Sequence, residues 1–289
     1  MPSGLVFQFD NSYFEQLTGG YVEHSAEVSP APRLAYFNQK LYEQLSASRC
    51  DSLDQSLVAQ QLAGNAAIEG SDPIAQAYAG HQFGQFNPQL GDGRALLLGE
   101  VITPQNDRID LVLKGSGATP FSRGGDGKAA LGAMLREVLL SECLNALGIP
   151  TTRSLAVVET GEPVYRKQTH PGAVLARTAA SHIRIGTFQY FAAQGDTTSL
   201  KTLLRYTVER HYPVELPESG YALHLLDSVV SSQAKLLATW MSVGFIHGVM
   251  NTDNISIAGE TIDFGPCAFM EAYSPDTVFS SIDTQGRYA

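Results

Sequence analysis

Three oxygen-bearing side chains lie near one another late in the sequence: Asp253, Asn254 and Asp263. We predict a β-hairpin over residues 254–262, with its turn at Gly259–Glu260, because short apolar runs flank that turn. Such a hairpin would bring the three side chains to one end of a ribbon. Carboxylate and amide oxygens are ligands that Mg²⁺ prefers, and a second carboxylate can accept a proton. The stretch therefore predicts a cation-assisted catalytic site, or else a hairpin whose Asp and Asn side chains only cap turns.

The same stretch follows the order of a protein-kinase catalytic loop, in which H-R-D-x-x-x-x-N precedes D-F-G. His247 takes the first position, Asn254 the eighth, and Asp263 opens the Asp-Phe-Gly triplet. The position of the catalytic aspartate holds Val249, whose aliphatic side chain cannot accept a proton. A positioned general base contributes ~10²–10⁴-fold in rate. The chain is therefore predicted to be an inactive kinase or to use another base, for which Asp253 is the nearby carboxylate.

Composition excludes several classes of protein. The chain has 289 residues, of which 44% are apolar and 17% charged, as expected for a globular protein with one large domain or two lobes. The net charge of -10 disfavours binding to nucleic acid or to an acidic membrane. No apolar run approaches the ~18–20 residues of a membrane span. Residues 1–5 have neither the basic nor the apolar region of a secretory signal, so we expect a cytoplasmic protein.

The three cysteines are widely separated and form no C-x-x-C pair: Cys50, Cys143 and Cys267. This spacing indicates reduced thiols rather than disulfides or a structural zinc site.

A turn with two glycines precedes a second predicted hairpin. The turn is Gly91-Asp-Gly93-Arg94, and the predicted strands cover residues 95–101 and 109–114. Glycines let backbone N–H groups approach phosphate oxygens closely, although a plain turn is the alternative. Lys114 ends the second strand, as does the lysine of the kinase V-A-I-K strand. Its alternative is an ordinary strand-end lysine in water.

A glycine-rich segment, residues 115–127, leads into a predicted helix over residues 128–147. Pro120 takes the place of the third glycine of a Rossmann fingerprint, and the helix begins too late for that motif. Glu137 lies beside the stripe that we expect to be buried, and kinases pair the strand lysine with such a helix glutamate. The stripe consists of Leu131, Leu135, Val138 and Leu139.

Two arginines follow, where a kinase would form its last N-terminal strand and the adenine slot. We predict strands over residues 151–158, 163–167 and 174–177, with a helix starting within residues 181–191. Arg177 and Arg184 are unusual there, because guanidinium groups match phosphate oxygens rather than an adenine ring. If both face the site, the nucleotide would be reversed, with its α-phosphorus near the acceptor. The alternative is that both arginines lie on the surface.

Four further helices are predicted over residues 34–46, 54–63, 199–210 and 222–243. The last is expected to bury an apolar stripe of Leu226, Val229, Val230, Leu237, Trp240 and Met241.

With these residues assembled, the chain resembles the selenoprotein O (SelO) family of pseudokinases over almost its whole length. Four stretches carry the resemblance: residues 75–94, 114–137, 175–192 and 247–265. The resemblance implies protein AMPylation, the transfer of AMP from ATP to Ser, Thr or Tyr hydroxyls, with the nucleotide inverted. It also implies Mg²⁺, or alternatively Mn²⁺, held by Asn254 and Asp263, with Asp253 as the base. The implied ATP-binding residues are Gly91, Gly93, Arg94, Lys114, Asp126, Gly127, Glu137, Arg177, Arg184 and Asp263.

We therefore expect an α+β, protein-kinase-like, two-lobed fold. Residues 1–175 would form an N-terminal extension and an N-lobe with an antiparallel sheet plus a helix. Residues 176–289 would form a mostly helical C-lobe, which is expected to be incomplete because only a short segment follows Gly265. The expected partners are ATP and protein substrates, without nucleic acid or membrane. The alternatives are an ordinary protein kinase and a nucleotide-binding scaffold without catalysis.

Overall fold

The computed structural model describes residues 4–46, 53–283 and 285–288. Their strands are β1 Tyr21–Glu23, β2 Arg33–Phe37, β3 Ile74–Gln76, β4 Gly80–Gln82, β5 Gln85–Asn87, β6 Ala95–Ile102, β7 Arg108–Lys114, β8 Ala129–Ala130, β9 Arg153–Tyr165, β10 Thr169–Ala179, β11 Phe245–Ile246 and β12 Ala268–Phe269. Their α-helices are α1 Ser12–Gln16, α2 Gln39–Leu45, α3 Gln55–Ala63, α4 Leu131–Ala146, α5 Ile185–Ala193, α6 Thr197–His211 and α7 Tyr221–Ser242.

The chain divides into two compact units. The first comprises Met1–Ala77, Gly91–Glu142 and Thr152–Ala180, and the second comprises Tyr78–Leu90, Cys143–Thr151 and Ser181–Ala289. The predicted domain boundary between residues 175 and 176 stays a prediction.

An antiparallel sheet forms the centre of the first unit. Its strands follow the order β1-β3-β6-β7-β10-β9-β2, and β8 pairs with β10. Every pairing in it is antiparallel, which confirms the predicted α+β class and excludes a parallel Rossmann sheet. The predicted hairpin of β6 and β7 is also confirmed.

Apolar residues cover both faces of this sheet, because successive side chains of a strand point to opposite sides. Along β10, Val174 and Ala176 pack with residues of α2 and α3 in the larger core cluster. Leu175 points the other way and packs with Met134 and Val138 of α4. Burying both faces in this way fixes the register of β10, since a slip of one residue would exchange the two sets.

Several predicted boundaries in the first unit were wrong. Residues 33–37 form strand β2 rather than the start of a helix, because they pair with β9. The strands predicted over 151–158 and 163–167 are one continuous strand, β9, and the strand predicted over 174–177 is part of the longer β10.

The buried side of α4 also differs from the predicted stripe. Leu135 and Leu139 are exposed, whereas Met134, Glu137 and Ser141 are buried. The helix is therefore rotated so that its buried face includes two polar residues, which a hydrophobic pattern does not count.

The second unit is mainly helical, with α5, α6 and α7, a short hairpin of β4 and β5, and a two-stranded pairing of β11 and β12. In α7, Leu225, Val229, Leu236 and Trp240 are buried, and the other predicted stripe members, Leu226, Val230, Leu237 and Met241, are exposed. The helix has apolar residues on more than one side, so the pattern alone could not select its buried face.

Within the described part of the chain, no helix combines the length and the apolar character that crossing a membrane requires. Cys143 is a free thiol at the surface, Cys267 is buried, and Cys50 lies outside the described residues.

Helix α3 offers a test of the local fold. The side chain of Asp54 accepts hydrogen bonds from the backbone N–H groups of Ser56 and Leu57, so it caps the helix N-terminus. We expect Asp54→Ala to lower the free energy of unfolding by about 1 kcal/mol. Urea denaturation measures this change. The matched control is Gln60→Ala at an exposed position of the same helix, and equal destabilisation by both variants would contradict the capping role.

Candidate functional site

A buried ionic cluster lies in the first unit, where α4 covers the sheet. Lys114 ends β7 on the same face of the sheet as Val112, and its partner across the strands is Leu175 of β10. Arg177 follows two residues after Leu175 and so emerges on the same face. Glu137 reaches this face from the buried side of α4.

The predicted ion pair between strand lysine and helix glutamate is present. Lys114 Nζ lies 2.5 Å from Glu137 Oε1, and Arg177 Nη1 lies 3.6 Å from Glu137 Oε2. The side chains of all three are less than a tenth exposed. One carboxylate therefore contacts two cations away from bulk water, where Coulomb interactions are strong and where desolvation of each charge is costly.

The predicted phosphate loop packs against the turn around Phe121. The backbone carbonyl of Asp92 accepts a hydrogen bond from Thr119 Oγ1, and that of Gly93 accepts one from Ser122 Oγ. Gly91 has a φ of 77°, and a Cβ there would lie 2.3 Å from the ring of Phe121, so only glycine fits. The side chain of Arg94 is exposed.

Asp126 and Gly127 lie on a second loop of the first unit. The carboxylate of Asp126 accepts hydrogen bonds from Arg166 and from the backbone N–H of Lys128. The bond from Arg166 is the main reason why the pKa of Asp126 falls from 3.8 to about 2. Gly127 is buried against Gly117, where a Cβ would collide with the carbonyl oxygen. The Asp126 side chain is thus paired within its own loop, and its nucleotide-binding role stays a prediction.

The predicted catalytic residues of the second unit lie on a loop rather than a hairpin. Residues Thr252–Asn254 form a turn of 3₁₀-helix. After it, Ser256 forms a bridge with Arg184, and Thr261 forms a bridge with Thr151. The predicted hairpin over residues 254–262 was therefore wrong, because each half of the segment pairs with a different part of the chain.

Arg184 links the main chain of Asp253 to the carboxylate of Asp263. Its Nη1 donates to the backbone carbonyl of Asp253 at 2.6 Å and to Asp263 Oδ2 at 2.7 Å. The guanidinium also lies 4.8 Å from the ring centre of Tyr78, a cation–π distance. Neither Arg177 nor Arg184 is on the surface, so the surface alternative for the two arginines was wrong.

Asp263 opens the Asp-Phe-Gly triplet in a left-handed backbone conformation, with φ 63°. The next residue, Phe264, is buried and contacts Phe245 edge to face at 6.4 Å between ring centres. This anchor directs the Asp263 side chain towards Arg184.

The donor set of the second unit fits Mg²⁺. Asn254 and Asp263 supply amide and carboxylate oxygens, and Mg²⁺ is commonly held by one or two such side chains together with water and substrate phosphates. In the described part of the chain, no group of three or more His, Cys, Asp or Glu residues could hold a metal ion by itself. A pair of such oxygen donors suits a cation that also binds a phosphate ligand.

His247 is buried, and its ring nitrogens form hydrogen bonds with backbone groups. Its Nε2 lies 2.7 Å from the carbonyl oxygen of Ile262, and its Nδ1 accepts from the backbone N–H of Val249. Both contacts require a neutral ring protonated on Nε2. The ring also stacks on Trp240 at 5.5 Å. Burial lowers the pKa of His247 below its ordinary value of 6.5.

Sequence reasoning missed two amide side chains that contact the loop of the predicted base, residues 251–254, which we call the catalytic loop after that predicted role. Gln82 donates to Asp253 Oδ2, and Gln189 accepts from Thr252 Oγ1. The available signal was the density of glycine and amide residues in the segment 75–94. That density did not reveal which side chain the amides would bind.

The chain is similar to known proteins over almost its whole length. The family model described as "Protein adenylyltransferase SelO" matches residues 5–289. A protein nucleotidyltransferase YdiU of Rhizobium rhizogenes is 59% identical over 281 residues, which are 97% of this chain and 56% of that protein. The protein of the same name from Shouchella clausii is 57% identical over 290 residues, 100% of this chain and 59% of that protein. The chain thus spans little more than half the length of these relatives.

Among solved structures, a Toxoplasma gondii rhoptry antigen kinase domain is similar at 11% identity and a TM-score of 0.33, over 74% of this chain and 59% of that chain.

The ionic cluster predicts a large effect of one substitution. Glu137→Gln removes the charge that contacts both Lys114 and Arg177, so we expect a loss of about 3–5 kcal/mol in the free energy of unfolding. The control is Glu159→Gln, which breaks a pair with the exposed Arg33 and should cost about 0–1 kcal/mol. Chemical denaturation of both variants measures the contrast. A Glu137→Gln variant as stable as the control would show that the cluster contributes little.

His247 predicts a pH dependence of stability. Its pKa is lowered on folding, so the unfolded chain binds a proton near pH 6.5 that the folded ring does not take up. Stability is therefore complete above about pH 6.5 and falls at lower pH, by at most about 1.4 kcal/mol per pH unit for this group. Urea denaturation between about pH 7.5 and pH 5.5 should show a steeper loss for the wild type than for His247→Gln. Parallel slopes would contradict the neutral, buried ring.

Proposed function

Because this chain belongs to the family of the protein adenylyltransferase SelO, we propose that it transfers AMP from ATP to Ser, Thr or Tyr hydroxyls of target proteins. The names of its relatives state nucleotidyl transfer and leave the acceptor open. The orientation of ATP, its cation and the roles of single residues are likewise part of the proposal.

The observation that carries the proposal is the burial of both arginines in ionic clusters. Arg177 contacts the carboxylate that also holds Lys114, and Arg184 contacts Asp263 beside the main chain of Asp253. A guanidinium group placed in this way matches phosphate oxygens and is a poor neighbour for an adenine ring. This placement supports an inverted nucleotide, whose α-phosphorus rather than γ-phosphorus would meet the acceptor.

In the first unit, Lys114 would bind phosphate oxygens while Glu137 holds its ammonium group in place, as in kinases. Arg177, on the same carboxylate, would add a second donor. The loops with Gly91 and Gly93, and with Asp126 and Gly127, would contact the nucleotide as the family resemblance implies, with Arg94 as a further cation.

In the second unit, Asp253 would accept the proton of the attacking hydroxyl. The hydroxyl oxygen forms a bond to the α-phosphorus, and the bond from that phosphorus to the bridging oxygen of pyrophosphate breaks. Asn254 and Asp263 would hold Mg²⁺, or alternatively Mn²⁺, which neutralises negative charge on the phosphates when bound. Arg184 would stabilise the same charge from its position between the main chain of Asp253 and the carboxylate of Asp263.

A second candidate is nucleotide binding without catalysis. It is favoured by one fact, the aliphatic Val249 at the position where the kinase catalytic loop has its aspartate. ATP-dependent thermal stabilisation without a covalent product would support it.

Labelled ATP separates these functions from phosphoryl transfer. We expect protein-bound label from α-labelled ATP with Mg²⁺ and none from γ-labelled ATP, because pyrophosphate is the leaving group. Label from γ-labelled ATP alone would overturn AMP transfer in favour of a kinase, and absence of both labels would leave only nucleotide binding.

The variant that tests the proposed base in this assay is Asp253→Asn, which keeps the size of the side chain and removes its basicity. Transfer should fall about 10²–10⁴-fold, while Mg·ATP still raises the melting temperature. Asp227→Asn, an exposed aspartate of α7, should transfer as the wild type does. Undiminished transfer by Asp253→Asn would refute its role as the base.

A further inference from the structure

The segment Tyr78–Leu90, which we call the amide segment, runs against the catalytic loop inside the second unit. Its strands β4 and β5 form a hairpin whose turn includes Phe83 and Gly84, both with positive φ. The proposed chemistry uses none of its residues.

Backbone groups of the amide segment hold two side chains of the catalytic loop. The N–H of His81 donates to Thr252 Oγ1 at 2.8 Å, and the N–H of Phe83 donates to Asn251 Oδ1 at 3.0 Å. Asn251 and Thr252 immediately precede Asp253, so the main chain leading to the proposed base is fixed at two points.

A helix residue supports the same contacts from another side. Gln189 of α5 accepts from Thr252 Oγ1 at 2.6 Å, and its Nε2 lies 2.8 Å from His81 Nδ1. The start of α5 also approaches the amide segment closely, because the carbonyl of Gly186 accepts from the N–H of Ala79. The hairpin is therefore tied to both the loop and the helix.

The carboxylate of Asp253 itself is held between Gln82 and Gly80. Gln82 Nε2 donates to Asp253 Oδ2 at 2.9 Å. Oδ1 is buried without a hydrogen-bond partner among the described residues. A Cβ at Gly80 would come within 2.7 Å of Oδ1, so a larger residue there would displace the carboxylate.

We propose that Gln82 is a positioning residue for Asp253, with Gly80 as the surface against which the carboxylate rests. The inference rests on the proposed function, in which Asp253 is the base. The terminal torsion of an aspartate has a broad energy well, so an unsupported carboxylate rotates readily. The amide fixes that rotation, and its N–H group is too weak an acid to give a proton to the base. Oδ2 keeps lone-pair capacity beyond the bond from Gln82.

Kinetics of AMP transfer test this role with three variants. Gln82→Met keeps the length of the side chain without the donor, and Gln82→Glu replaces the donor by an acceptor. We expect both to lower kcat about 10–100-fold, with the KM for ATP within about twofold of the wild type, because a base displaced by a fraction of an ångström loses rate rather than substrate affinity. The control Gln85→Met, at an exposed position of β5, should be unchanged.

Three kinetic results would overturn the proposal: wild-type kcat in Gln82→Met, wild-type kcat in Gln82→Glu, or a higher kcat in either. The last result would mean that the amide shields the base instead of orienting it.

A second measurement does not depend on activity. Hydrogen exchange at residues 251–254 should be at least about tenfold faster in Gln82→Met than in the wild type and in Gln85→Met. If the wild type transfers no AMP while exchange responds in this way, the proposed function fails and the contact stands. If exchange is the same in all three proteins, the positioning role is refuted whatever the activity.

Discussion

The carboxylate of Glu137 is the constraint on which the first unit depends. It is buried with two cations, Lys114 and Arg177, that arrive from neighbouring strands of the sheet. A buried cation is stable only with a partner in good geometry. A shift of α4 on the sheet, or of β7 against β10, would separate Glu137 from Lys114 or Arg177, so both positions are constrained. The apolar contacts of Met134 and Val138 supply the position of α4, and the ionic cluster determines which rotation of the helix is acceptable.

In the second unit, a single cation contacts two segments of the chain, whereas in the first unit a single carboxylate contacts two cations. Arg184 stands at the N-terminus of α5 and contacts the loop that carries Asp253 and the turn that carries Asp263. One cation thus joins two segments that do not pair through strands. The amide segment also donates hydrogen bonds to this loop, from the neutral N–H groups of His81 and Phe83 and from the side-chain amide of Gln82. Order in this loop therefore depends on side-chain contacts rather than on a regular sheet or helix.

Much of the first unit could be predicted from the sequence, because it follows local rules. The strands of the β6–β7 hairpin are continuous apolar runs, and the order of Lys114 and Glu137 along the chain predicts an ion pair that the structure contains. The helix predicted to start at residue 34 was wrong because residues 33–37 pair with β9, which lies far along the chain. The hairpin over residues 254–262 failed for the same reason, since its partners are Arg184 and Thr151. The contact of Gln82 with Asp253 spans 171 positions and leaves no periodic trace in the sequence.

The backbone of Asp263 limits which residues evolution can place there. Left-handed φ is uncommon outside glycine, and asparagine and aspartate occupy it far more readily than other side chains do. A drift to serine, glutamate or valine would strain the chain before any effect on a cation or on Arg184 arose. The position is therefore restricted twice, by conformation and by chemistry. Asparagine at this position would tolerate the left-handed backbone but would lose the negative charge that contacts Arg184.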